Sequence, residues 1–396
     1  MAAAMTTSEE PARLESEEDI LTIGTLAPRH TPGLAPSDID ELRIACAQVL
    51  PSEQGPRGAG GLDKLQRFAE RAAQAGADVV VFPEYFLTGA THEAWKDVRT
   101  RSSASRSASA EAREEQTSDF LKTISTVARR NDIDIVAGTI VELGSHHVPH
   151  RLDDVKDDGN NNSSNNNNEG PPSAHDDKLF NTAYYVDRHG HVAGRYTKKR
   201  LWHPERAVLS PGHELLHHAP PPSTFEITTR RGRTLRAGIL ICWDLAFPEL
   251  FREMLFKADD GSTSLQGPDV VFAPICWYAT DCGRSGLRWS TTGEASLLDG
   301  MCQARAIENE CVIAMTNVAG KAPPASQEAW LAWDGDKGDE PWAVGRSCVC
   351  APFVGCMQRV EGTDEALLLA NVDLRCLDEA RQVYRCRYDL ALERDD

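Results

Sequence analysis

Apolar and polar positions along the chain follow two rhythms, one of period two and one near 3.6, separated by polar stretches. Leu42-Arg43-Ile44-Ala45-Cys46-Ala47-Gln48-Val49 alternates and stops at Pro51, which predicts a strand. Over 62–75 the apolar residues Leu62, Leu65, Phe68, Ala69, Ala72 and Ala73 share one helical face, and Gly76 is a plausible terminator. Asp78-Val79-Val80-Val81-Phe82-Pro83-Glu84 is a continuous apolar run halted by proline, the pattern of a buried strand. The Ser- and Arg-rich interval 97–115 predicts a loop. A helix carrying Phe120, Leu121, Ile124 and Val127 follows, then a strand over 133–141. Strand patterns at 180–186 and 191–196, joined by Arg188-His189-Gly190, predict a hairpin.

Further along, the apolar run 237–241 ends at Cys242; a polar turn follows, and Pro248-Glu249 opens a helix through Phe251 and Leu255. Strands are predicted over 269–274, 311–317 and 367–373, and a helix over 292–308. Strands and helices alternating through short links indicate α/β architecture with helices on sheet faces, and the hairpin makes the sheets mixed. One large domain over 41–381 holds these elements. Residues 1–40 and 382–396 are expected as tails, the first of them disordered. The segment 143–178, with its Asn-rich tract at 160–168, is expected as a disordered insert between neighbouring strands.

Composition narrows the partners. A formal net charge of −18 over 396 residues argues against nucleic acid or an anionic membrane. No apolar run approaches the roughly 20 residues of a membrane span, and the N-terminus reads as neither signal nor transit peptide. Eleven cysteines, an odd number without repeated spacing, suit free thiols in a reducing compartment, by default the cytosol. Cys348-x-Cys350 and the histidine-bearing insert lack the paired spacings of a zinc site, so neither metal nor cofactor is expected.

Candidate chemistry gathers at strand ends, where ligands collect in α/β folds. Glu84 follows one apolar run, Lys198 follows the second hairpin strand in Tyr196-Thr197-Lys198-Lys199-Arg200-Leu201-Trp202, and Cys242 closes a third. Cys242 lies on a strand-to-turn-to-helix corner, where free N–H groups and the local field favour an anion. A buried carboxylate with a raised pKa suits a base for a thiol, and an ammonium with a backbone N–H suits an oxyanion. No histidine stands in a comparable position, so a Cys–His protease is poorly supported.

In order, Phe82-Pro83-Glu84, Tyr196 with Lys198, and Ile241-Cys242-Trp243-Asp244 with Phe247-Pro248-Glu249 resemble the signature segments of the nitrilase superfamily, carbon–nitrogen hydrolases with a Glu-Lys-Cys triad. Ala304-Arg305-Ala306-Ile307-Glu308-Asn309, Asn317 and Val372-Asp373 extend the likeness over about 42–381. The resemblance implies a four-layer α-β-β-α sandwich with two mixed sheets, paired as a homodimer or larger homo-oligomer. It implies Glu84 as general base, Cys242 as nucleophile and Lys198 as oxyanion stabiliser, with Lys199 the fallback and the Trp243 backbone N–H a second donor. Glu205 matches a second glutamate that orients substrate; a solvated loop acid is its other reading. Trp277 matches an aromatic pocket wall, with core packing its alternative. Arg305 and Glu308 read as a structural ion pair.

Nitrile-converting members typically carry Cys-Trp-Glu-Asn; Cys242-Trp243-Asp244-Leu245 looks instead like the amidase and carbamoylase branches. The expected activity is hydrolysis of a small amide or N-carbamoyl compound. A nitrilase is the runner-up. A non-catalytic scaffold or binding protein with the same fold is the alternative of another class, and a metal-dependent hydrolase stands further off.

Overall fold

The computed structural model describes residues 20–26, 40–51, 59–104, 111–144, 178–215, 224–255 and 267–392. In chain order its strands are β1 (Thr22–Gly24), β2 (Glu41–Gln48), β3 (Val79–Val81), β4 (Asp134–Val136), β5 (Ile140–Leu143), β6 (Leu179–Val186), β7 (Val192–Thr197), β8 (Thr224–Thr228), β9 (Thr234–Ile239), β10 (Val270–Pro274), β11 (Val312–Thr316), β12 (Cys348–Ala351), β13 (Gly355–Arg359) and β14 (Ala366–Asp373). One sheet runs β1-β14-β2-β3-β4-β6-β5 with β7 paired to β6; the other runs β13-β12-β11-β10-β9-β8. Both mix parallel and antiparallel pairs.

Strand periodicity divides the core into layers. Ile44 and Cys46 of β2, with Val79 and Val81 of β3, face the second sheet's Ala237, Ile239 and Phe272. Their neighbours Ala45, Ala47 and Val80 face the opposite way, onto Leu65, Phe68, Leu121 and Ile124 of helices Ala59–Gln74 and Glu111–Asn131. Helices Pro248–Leu255 and Gly293–Glu308 cover the far side of the second sheet, completing four α-β-β-α layers. Burial on both faces is why these strands read as near-continuous apolar runs. Among the described residues no helix is long and apolar enough to cross a membrane.

Several expectations need correction. Part of the span expected as a tail, 1–40, is strand: β1 pairs in parallel with the outer edge of β14, Thr22 opposite Leu367. It covers an edge that would otherwise stand open, and three residues are too few to show a period. Much of the expected loop 97–115 is helical, in His92–Ala104 and Glu111–Asn131. The first of these is seated by the buried Trp95 and Val98, and the Trp95 indole donates to Gly89 O at 3.0 Å. The expected strand over 133–141 is two strands. At Gly138, φ is +66°, and a Cβ there would stand 2.0 Å from Pro83 O, so the chain steps around the corner after β3. Within the expected tail 382–396, helix Cys386–Leu392 is held by a buried arginine: Arg387 donates to Asn309 O at 2.6 Å and Pro268 O at 2.5 Å. The Asn-rich tract lies outside the described residues.

Candidate active site

The carboxyl ends of β3, β7, β9 and β10 meet between the two sheets, and Glu84 N donates across them to Ile275 O at 3.2 Å. β9 ends at Ile239, and the chain then turns at Cys242 into a 3₁₀ turn, Cys242–Ala246, before helix Pro248–Leu255. Cys242 sits at φ +49° and Tyr85, just after Glu84, at φ +60°. Left-handed backbone on such residues costs of the order of 1–3 kcal/mol and persists where surroundings over-determine it.

Asp244 supplies much of that determination. Its buried carboxylate accepts from Ile241 N at 3.1 Å and from Arg200 N at 2.8 Å, tying the thiol corner to the lysine loop. Burial pushes its pKa up to about 6, opposed by Lys198 and by those two N–H donors. From the other side Arg305 donates to Leu245 O at 3.0 Å while pairing with Glu308 at 2.8 Å. Asp244→Ala strips both backbone donors of their acceptor. It is expected to cost about 3 kcal/mol in urea unfolding, and a loss below about 1 kcal/mol would show the clamp to be dispensable.

Lys198 and Glu84 are fully buried side by side, 0% and 1% exposed. Lys198 Nζ lies 2.8 Å from Glu84 Oε1 and 2.7 Å from Glu205 Oε1. Asn181 Nδ2 also donates to Glu84 Oε1, at 2.7 Å, and Cys276 N to Glu84 Oε2, at 3.1 Å. Glu205 accepts from Tyr85 Oη at 2.6 Å and from Trp202 N at 2.6 Å, so it is an integral part of the cluster and not a solvated acid. The Cys242 thiol lies on the Glu84 side of the cluster, 4.0 Å from Cys276 O, the residue whose N–H donates to Glu84. Cys242 and Trp243 open the 3₁₀ turn, where first N–H groups have no partner inside the helix. Lys199 points outward and pairs with Glu253 at 2.5 Å.

Burial dominates the electrostatics. It pushes Glu84 up to about 7, opposed by Lys198 and reinforced by Glu205. Burial, with Glu84 beside it, pushes the Cys242 thiol well above its usual range. Desolvation alone would lower the Lys198 ammonium; Glu205 and Glu84 reverse that and hold it well above the ordinary lysine range. The arrangement is a protonated thiol, a carboxyl poised near neutrality and a permanent cation.

Three indoles flank the site. Trp243 lies edge-on to Trp202, centroids 4.6 Å apart, and 5.5 Å from Trp277. Trp277 is buried. Its N–H donates to Asn317 Oδ1 at 2.9 Å, and its indole nitrogen donates to Glu294 Oε2 at 2.5 Å. Sequence reading missed Asn181, Tyr85 and the Cys276 N–H. An asparagine inside the apolar run of β6 was the one signal available for Asn181; the others are contacts between segments distant in sequence.

The family model described as Carbon-nitrogen hydrolase matches residues 43–382. The chain is 23% identical over 354 residues to the Pseudomonas protegens protein named "Hydrolase in pqqF 5'region", covering 89% of this chain and 90% of that one. It is 26% identical over 206 residues to 2-oxoglutaramate amidase of Bacillus subtilis, covering 52% of this chain and 60% of that one. Among solved structures, Saccharomyces cerevisiae Nit3, of the nitrilase superfamily, superposes with a TM-score of 0.56 at 21% identity, covering 86% of this chain and 93% of that one. An amidase from a Nesterenkonia species, with the acetamide moiety of fluoroacetamide covalently added at its active site cysteine, superposes with a TM-score of 0.54 at 20% identity, covering 90% and 99%.

Proposed function

The chain belongs to the nitrilase superfamily of carbon–nitrogen hydrolases, and from that premise we propose that it hydrolyses a small amide or N-carbamoyl compound through a thioester on Cys242. The supporting observation is the convergence of Glu84, Lys198 and Cys242 at one buried locus. Glu84 takes the thiol proton as sulfur attacks the carbonyl carbon. The ammonium of Lys198 has three donors; two engage Glu84 and Glu205, and the third serves the oxyanion together with the Trp243 N–H. Glu84 returns its proton to the leaving nitrogen, and ammonia or an amine departs. Glu84 then deprotonates the water that attacks the thioester. The acid leaves, and the proton restores the thiol. Glu205 orients the lysine, and Trp277 with its neighbouring indoles walls the substrate.

A panel of amides, N-carbamoyl compounds and nitriles tests this by ammonia release and intact mass. Amide turnover with an acyl adduct on Cys242 is expected. Nitrile turnover alone would assign a nitrilase working through a thioimidate; no adduct and no turnover would favour a binding protein. Beside Trp277, Glu294 places negative charge at the rim, and Asp281, whose carboxyl burial pushes up to about 7, adds only part of a charge near neutral pH. Neutral and cationic amides should therefore exceed anionic amides such as the monocarboxylate 2-oxoglutaramate by about tenfold or more in kcat/KM, equivalent to about 1.4 kcal/mol of rim repulsion. Equal rates across that pair would remove the rim acids from the account.

The pH dependence follows from Glu84. Its folded pKa is raised to about 7 from the usual 4.5. The acid limb of kcat/KM should rise with an apparent pKa near 7, a value belonging to the coupled cluster. Stability runs the other way: a carboxyl raised in the fold stabilises it fully below 4.5, and this is lost as pH rises through about 7. Glu84→Gln should abolish the acid limb and flatten the stability slope across that window. An unchanged slope would mean that Glu84 titrates normally. All eleven cysteines are free, which supports a reducing, cytoplasmic setting. A homodimer or larger homo-oligomer is proposed with the family, to be checked by light scattering.

A further inference from the structure

On the outer side of the second sheet, away from Glu84 and Cys242 in the chain, four cysteines gather that the hydrolytic reading does not use. Cys348 and Cys350 lie two residues apart on β12 and so face the same way, with their sulfurs 3.9 Å apart. Cys356 stands on β13 opposite Cys350. The sulfurs of Cys348, Cys350 and Cys356 all lie within 4.8 Å of one another. From helix Gly293–Glu308, packed on this hairpin, the buried Cys302 thiol stands beside Cys348, just outside that three-sulfur group.

The hairpin is shaped to make this happen. Its register shifts between Val349 and Cys350, and such a bulge re-aims side chains. Cys348 and Cys350 are buried while Cys356 is half-buried, so the cluster has a dry interior and one opening to solvent. Around that opening Arg346 and Arg359 both pair with Asp299 of the covering helix, and both act electrostatically on Cys356. Two guanidiniums beside a group of thiolates offset the excess negative charge that such a ligand set carries.

We propose that Cys348, Cys350 and Cys356, with Cys302 above them, bind one thiophilic d¹⁰ cation, Zn²⁺ or Cu⁺, that pins the β12–β13 hairpin to the covering helix. A tetrahedral Zn²⁺ with Zn–S bonds of about 2.3 Å spaces its sulfurs about 3.8 Å apart, close to the 3.9 Å between Cys348 and Cys350. Soft thiolates select such ions over Mg²⁺ or Ca²⁺. The two sources differ in ligand count: Zn²⁺ takes four thiolates and needs Cys302, whereas Cu⁺ is satisfied by the three hairpin thiolates. Sequence spacing hid the cluster, because strand register and helix packing assemble it, not a repeated Cys-x-x-Cys.

The test uses the full chain, purified without a histidine tag under reducing conditions, stripped with a strong chelator and titrated with Zn²⁺ alone or Cu⁺ alone. The expected result is one ion per chain by elemental mass spectrometry, retained in Cys242→Ala and weakened about 100-fold or more in Cys356→Ser. Cys302→Ala should release Zn²⁺ but not Cu⁺, which decides between the two. Peptide-level alkylation of the wild-type protein reads the same site without any variant: Cys356 should label when metal-free and be protected when loaded. No retained ion, binding unchanged by Cys356→Ser with no protection of Cys356, or a Cys350–Cys356 disulfide whose reduction restores no metal uptake would each overturn the proposal.

Discussion

Replacing Cys242 by alanine is expected to lower kcat/KM for amide hydrolysis by about 10⁴-fold or more, because without its nucleophile an acyl-transfer site keeps only binding and oxyanion stabilisation. The fold should survive. The Lys198 ammonium still lies 2.8 Å from Glu84 and 2.7 Å from Glu205, so no buried charge loses its partner. Serine should be nearly as inactive, since a carboxyl near 7 is too weak a base for a buried hydroxyl. The measurements are ammonia release, the melting midpoint and intact mass after incubation with a reactive amide. A loss under tenfold, or an adduct that moves to Cys276 while turnover persists, would sink the assignment of Cys242. Cys276 is the fair competitor, since its backbone N–H already contacts Glu84 at 3.1 Å.

Lys198→Met should damage activity and stability together. Removing the oxyanion's cation should cost about 10²–10³-fold or more in kcat. Taking one partner from a buried ionic cluster costs about 3–5 kcal/mol, because the charges left behind stay desolvated. Here two carboxylates, Glu84 and Glu205, would share a site without their common ammonium. Glu84, already raised against the opposition of Lys198, is then expected to hold its proton to higher pH still, so the deficit is small below about 4.5 and grows as pH rises. Urea unfolding at pH 5 and pH 8 reads this directly, the gap from wild type being wider at pH 8. A pH-independent gap would mean that lost packing, not uncompensated charge, sets the cost. The exposed Lys199, paired with Glu253, is the natural control, and Lys199→Met should change neither quantity appreciably.

Much of the architecture was legible in the chain. β2, β3, β6, β10, β11 and β14 lie where apolar runs or alternation predicted them, because strands buried on one or both faces must spend nearly all their positions on apolar side chains. Helix Ala59–Gln74 ends before Gly76, whose φ of +87° a side chain would oppose. Elements seated by only one or two buried side chains were missed. Trp95 and Val98 seat helix His92–Ala104 and Arg387 seats helix Cys386–Leu392, too few positions to make a period.

By itself, then, the sequence determined the layered α/β framework and the strand-end positions of Glu84, Lys198 and Cys242, since burial and chain reversal are local demands that leave local patterns. Only the tertiary structure decided which of two adjacent lysines turns inward, that Tyr85 and Asn181 hold the acidic residues, and that four cysteines from a hairpin and a helix meet on one face. Those outcomes depend on strand register and on packing between segments far apart in the chain, such as Asn181 with Glu84, 97 positions away, and Tyr85 with Glu205, 120 positions away. A one-residue slip in register would send the same side chains to the opposite face.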